Sequence, residues 1–140
     1  MTNAFDLHSQ LAADTHLVAD WPLCRVLLMN DTTFPWLILV PRRAGLRDFH
    51  DVAQEDEGEF LAEMNLAARA LKSITGAGKM NVAALGNMVP QLHVHVIARF
   101  EGDVAWPGPV WGVVDAVPYE DEAAQALNRH FLEEVEKVRP

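Results

Sequence analysis

The chain has 140 residues, 50% of them hydrophobic and 22% charged, the proportions of an ordinary globular protein and not of a disordered one. A formal net charge of -9 argues against a sequence-independent nucleic-acid binder, which needs a basic surface to displace counterions. It leaves room for a small phosphorylated ligand held by local donors, and the single cysteine, Cys24, excludes an internal disulfide.

This length fits one domain over residues 1–140, large enough to bury a real core. Cys24, in the run Leu23-Cys24-Arg25-Val26-Leu27, reads as a small buried hydrophobe and suits a reducing compartment. Asp6, His8 and Asp14 near the N-terminus do not read as a signal peptide. The longest apolar run, Trp36 to Val40, is far too short to span a bilayer. The expectation is a soluble, cytoplasmic protein with no membrane partner.

In chain order, Phe5 to Ala19 predicts an amphipathic helix, with Leu7, Leu11 and Val18 at helical spacing and Asp6 as its start signal. Val26–Met29 and Leu37–Val40 predict buried strands joined through the turn-rich stretch Asn30–Pro35. The middle helix is the clearest element. Phe60, Met64, Ala67, Leu71 and Ile74 recur at three-four spacing, Glu55, Asp56, Glu57 and Glu59 load its first turns, and Gly76 and Gly78 stop it. Met80–Leu85 predicts a strand, Gly86–Pro90 a turn, and Gln91–Phe100 a central strand. Trp106–Gly112 holds too much proline and glycine for regular structure. A last helix, about 119–138, sets Ala123, Leu127, Phe131, Leu132 and Val135 on one stripe. Strands joined by short turns, with a long helix between two pairs, imply an α+β architecture on an antiparallel sheet of about five strands.

The chemistry concentrates in Gln91-Leu92-His93-Val94-His95-Val96-Ile97. Alternation at period two sends Gln91, His93 and His95 to one face of a strand and Leu92, Val94 and Val96 to the other. Two imidazoles about 7 Å apart along the strand can act on one substrate. A neutral imidazole nitrogen is a competent nucleophile toward an α-phosphoryl group, provided that its other nitrogen is held in the right tautomer. No Gly-rich P-loop, Gly-x-Ser-x-Gly or Cys-x-x-Cys occurs to support other chemistries.

This segment resembles the signature of the histidine triad (HIT) superfamily of nucleotide hydrolases and transferases, His-φ-His-φ-His-φ-φ with φ apolar, whose middle histidine is the nucleophile. The resemblance makes His93 the nucleophile and His95 the third histidine, and Gln91 stands where the first is usual, marking a variant branch. It covers roughly residues 28–112, within a domain core of about 24–112. It implies an antiparallel sheet flanked by helices and paired across a two-fold axis, and no cofactor. Asn30-Asp31 is similar to the family's ribose-binding residue ahead of an apolar strand ending in Pro-Lys/Arg, here Pro41-Arg42; building the turn is the alternative reading. Gly86 and Asn87 resemble the Gly-Gln that cradles phosphate, with Met88 where relatives carry a hydroxyl. Trp36 stands where many members have histidine, and packing is its expected role. Arg99 shares the face of His93 and His95, to meet a distal phosphate or to stand solvated at the strand end. Trp106 to Pro109 resembles the Trp-Pro-Pro-Gly tail that shapes specificity near the dimer.

Three readings follow. One is a nucleotidyl hydrolase or transferase acting at an α-phosphate, on a dinucleoside polyphosphate or a nucleoside phosphoramidate. The second is a nucleotide-binding module with weak or no turnover, favoured by Gln91, Trp36 and Met88. The third takes His93 and His95 as metal ligands, although no carboxylate stands at an obvious spacing to complete the set. A homodimer is expected, through the side of the middle helix bearing Leu61, Leu66 and Ala68, with Trp106–Trp111 near the partner's site.

Overall fold

The computed structural model describes residues 4–140, so residues 1–3 of the expected span lie outside the described residues. Its strands are β1 (Thr15–Asp20), β2 (Cys24–Met29), β3 (Trp36–Pro41), β4 (Lys79–Ala83) and β5 (Val94–Arg99). Its α-helices are α1 (Ser9–Asp14), α2 (Gln54–Thr75) and α3 (Asp121–Val138). Every neighbouring pair of strands is antiparallel, in the order β1-β2-β3-β5-β4, the α+β architecture expected. No helix among the described residues is long and apolar enough to cross a membrane.

Four expectations need correction. The helix read over Phe5–Ala19 is helical only from Ser9 to Asp14, with His8 as N-cap accepting from the Gln10 amide. Thr15–Asp20 instead pairs with β2 as an edge strand, because β2 offers it an open edge while a helix this short is marginal on its own. The strand expected from Gln91 begins at Val94 and is not central; β3 holds the middle of the sheet, and Gln91–His93 precede the strand, with a bend at Gln91. On α3 the buried stripe runs through Ala124, Phe131 and Val135, and Ala123 is exposed. Leu66 of α2 lies in the core of its own chain and not on an outward face.

The sheet divides two apolar clusters by the alternation of its strands. Cys24, Val26, Leu28, Leu37, Leu39, Leu92, Val94, Val96 and Ala98 face α2 and α3, meeting Phe60, Ala67, Leu71 and Phe131. Leu27, Trp36, Ile38, Val40 and Ile97 face the other way, under Leu11 of α1, Val110 and the N-terminal Phe5 and Leu7. Fully burying each large aliphatic side chain contributes about 1.5–3 kcal/mol, so the helical face dominates stability. The second face is covered by a short helix and loops, which leaves room for a site.

α2 is set by its termini as well as its stripe. Glu55, Asp56 and Glu57 lie in its first turn and Lys72 in its last, each sign matched to the macrodipole. Gly76 ends it in the left-handed conformation (φ 72°), its N–H donating to the Lys72 carbonyl at 2.9 Å. From the buried side of α2, Glu63 accepts from the Leu23 and Cys24 amides at 2.9 and 2.7 Å, tying the helix to the start of β2. Burial and a hydrogen bond with Glu59 push its carboxyl above the usual range, while the two amides pull the other way. Cys24 is wholly buried, and burial pushes its thiol up, out of the range of a nucleophile.

Candidate active site

Antiparallel pairing of β3 with β5 places Ile38 beside His95 and Trp36 beside Ile97, so the sheet's second face carries the histidines next to β3. His93 and His95 stand edge to face with ring centroids 4.9 Å apart. Both are buried, at 7% and 5% exposure. They form the floor of a cavity of about 300 Å³ whose walls are the turn 85–89 and Trp111. A larger cavity, about 410 Å³, lies beside Trp21 and Glu63 on the helical side; it holds no imidazole, and the chemistry favours the smaller one.

The tautomers of both rings follow from their partners. His93 Nδ1 lies 2.7 Å from the backbone carbonyl of Gln91. A carbonyl only accepts, so Nδ1 carries the hydrogen, and in the neutral ring the lone pair is on Nε2. His95 Nδ1 lies 3.0 Å from Trp36 Nε1. An indole N–H only donates, so this Nδ1 is the acceptor and Nε2 carries the hydrogen. Burial, with the nearby His93 second, lowers the His95 pKa to about 4 and keeps the ring neutral. Neither Nε2 has a protein partner, and neither is sealed from solvent among the described residues. One imidazole offers a lone pair and its neighbour an N–H. That pair can attack a phosphorus centre and hold one of its oxygens.

The turn above them is shaped for close approach. Gly86 has φ 72°, a conformation that side-chain-bearing residues avoid, so the chain can fold over the imidazoles there. Asn87 is exposed on the cavity wall. Met88 is 93% exposed and brings no proton to the site.

The other expected site residues lie elsewhere or are already engaged. The side chain of Gln91 turns away from the rings: its Oε1 accepts from the His8 amide and its Nε2 donates to the Asp6 carbonyl, both at 2.8 Å. It clasps the N-terminal segment, and only its backbone carbonyl serves His93. Asn30 Oδ1 accepts from His16 Nε2 and from the Tyr119 amide, both at 2.9 Å. Asp31 is 5% exposed, and its Oδ1 accepts from the Thr33 and Val117 amides. Asn30 borders a separate pocket with Asp14, Met29 and Ala116, so this pair anchors segment 117–119 to the β2–β3 turn and does not join His93 in the cavity. The turn-building reading accounts for these bonds.

Arg99 is neither solvated nor free for a phosphate. It is 1% exposed, and its guanidinium donates to both oxygens of Asp103, to Asn81 Oδ1 and to the Gly108 carbonyl. Trp106 lies against that guanidinium, 5.5 Å from ring centroid to Cζ, and does not line the cavity. Trp111 does so, 5.0 Å from the His95 ring and 5.8 Å from Trp36, and it packs on its own chain. Sequence reading missed the donor role of Trp36 and the place of Trp111. The Trp-Pro-Gly segment was the only signal for the second, and it pointed to the wrong tryptophan.

The sequence matches the HIT domain family over residues 10–102. The chain belongs to the HIT family. Solved HIT proteins carry the same sheet and helices. A histidine triad protein from Marinobacter aquaeolei is 47% identical, with TM-score 0.93 over 97% of this chain and 99% of that one. One from Sinorhizobium meliloti is 45% identical, TM-score 0.91, covering 93% and 96%. One from Bradyrhizobium japonicum is 43% identical, TM-score 0.92, covering 95% and 99%. Among curated proteins no sequence matches significantly. Nucleotide binding and nucleotide hydrolysis or transfer are the activities this family supports, and the HIT fold found here is the one the sequence implied.

Proposed function

We propose that this HIT protein is a nucleotidyl hydrolase or transferase of a branch in which Gln91 replaces the first histidine. His93 Nε2 attacks an α-phosphorus, and the leaving group departs to give a nucleotidyl-histidine intermediate. Water, or an acceptor, then cleaves the phosphorus–nitrogen bond. The observation that carries the reading is the bond from His93 Nδ1 to the Gln91 carbonyl, which directs the Nε2 lone pair at an open cavity and stabilises the positive ring of the intermediate. His95 Nε2–H and the Asn87 amide are the donors for phosphate oxygens, and Gly86 lets the backbone come close. The metal reading lacks a donor set, since no third histidine, cysteine or carboxylate among the described residues gathers with His93 and His95. A binding module without turnover stays as the second reading, favoured by Met88, which offers no proton where relatives have a hydroxyl. Release of nucleoside monophosphate from a panel of phosphoanhydrides, phosphoramidates and adenylated amino acids separates the two. We expect turnover that falls at least about 10³-fold in His93→Ala; activity of the variant within tenfold of the parent overturns the assignment.

We also propose a cytoplasmic homodimer. The single buried Cys24 needs no oxidising compartment. Leu61 on α2, Val82 on the edge strand β4 and Leu85 beside the cavity are exposed apolar side chains that a two-fold contact would cover. Light scattering at micromolar concentration is expected to give twice the chain mass, and a monomer mass refutes it.

A further inference from the structure

Resting on the nucleotidyl-transfer reading, we infer that Trp36 fixes His95 as a permanently neutral donor, and that the site therefore cleaves phosphorus–oxygen anhydrides in preference to phosphorus–nitrogen bonds.

Trp36 is buried in β3, and its Nε1–H points at His95 Nδ1 over 3.0 Å. Protonating that nitrogen would set two N–H groups against each other in a site closed by Trp111, so the indole opposes the imidazolium by geometry. Burial acts in the same direction. His95 can then give a hydrogen bond to a phosphate oxygen, but it cannot surrender a proton near neutral pH. His93 uses its Nδ1–H on the Gln91 carbonyl, on the side away from its attacking nitrogen. The remaining walls are Leu85, Gly86, Asn87, Met88, Val89 and Trp111, with no carboxylic acid, lysine, arginine, tyrosine, thiol or hydroxyl among them. Among the described residues, no group on the cavity wall serves as a general acid.

The leaving group must therefore carry off the bonding electrons unaided. In the first step the His93 Nε2 lone pair forms the N–P bond, the P–O bond breaks, and the leaving oxygen departs as an anion. A phosphate or carboxylate does so readily, because its conjugate acid has a pKa near or below about 6. An amine must take a proton before it leaves, and the cavity supplies none. In the second step water forms a P–O bond, the N–P pair returns to Nε2, one water proton stays on the nucleoside monophosphate monoanion, and the other passes to solvent. Atoms and charge balance without an enzymic acid.

The test presents the full chain with two substrates sharing one nucleoside α-phosphate, a dinucleoside polyphosphate and a nucleoside phosphoramidate, in adenine, guanine and uracil versions. The expected ratio of kcat/KM, anhydride over amidate, is at least about 10², the lower end of what a positioned general acid contributes. A smaller ratio, or preference for the amidate, overturns this inference and leaves the transfer reading standing. If neither class is consumed, the inference fails, and the transfer reading fails with it when adenylated amino acids are not consumed either. The role of Trp36 is read separately from nitrogen-15 NMR of the histidines. We expect His95 in the parent protein to be protonated at Nε2 and bare at Nδ1 down to pH 5. In Trp36→Phe, which keeps a ring and removes the N–H, we expect a mixture of tautomers and an anhydride preference at least tenfold smaller at pH 6. A hydrogen on His95 Nδ1 in the parent contradicts the proposal even if the variant does not fold.

Discussion

Two ends of one strand carry polar side chains on the same face and have opposite fates. Where the chain enters β5, His93 just before the strand and His95 within it each spend one ring nitrogen on a fixed partner and leave the other unpaired toward a cavity. At its end, Arg99 spends its guanidinium on Asp103, Asn81 and Gly108, beneath Phe34 and Trp106. Asp103 is used just as fully, accepting also from the Phe100, Ala105 and Trp106 amides, and the Arg99 guanidinium beside it holds its carboxyl well below the usual range. A buried polar group with capacity left over is a reagent, and one with none left is a strut.

That contrast can be broken by mutation. The largest effect is expected from His93→Ala, whose turnover falls at least about 10³-fold, with a stability loss of about 1–3 kcal/mol as the Gln91 carbonyl loses its donor. A collapse of the fold in this variant would make the imidazole a strut as well. Asp103→Ala should do the reverse. It strands the guanidinium of Arg99, 1% exposed, without its partner, and losing one member of a buried pair costs about 3–5 kcal/mol. Urea unfolding measures this directly; a loss under 1 kcal/mol would mean that the Arg99 end is not structural.

The histidine end was legible in the sequence because period-two alternation needs only neighbouring residues. The long middle helix was legible for the same reason, its apolar stripe and terminal glycine being local signals. What escaped was set by contacts between distant segments. Thr15–Asp20 has no strand pattern of its own and is strand because β2 offers it an edge. Gln91 reads as a site residue until Asp6 and His8, more than 80 positions away, take both ends of its amide. Arg99 reads as free until Asp103 and the loop at Gly108 fold back over it. Trp36 reads as filler, since nothing local shows that β3 and β5 pair in a register that sets its N–H on His95.

The central claim is that His93 forms a bond to phosphorus, and the stereochemical course of the reaction tests it most directly. A dinucleoside polyphosphate with a single-configuration α-phosphorothioate can be hydrolysed in oxygen-18 water and the product's configuration determined. Two successive in-line displacements, the first by His93 Nε2 and the second by water, predict overall retention at phosphorus. Overall inversion would mean that water attacks directly, and would reduce His93 to a phosphate-binding group.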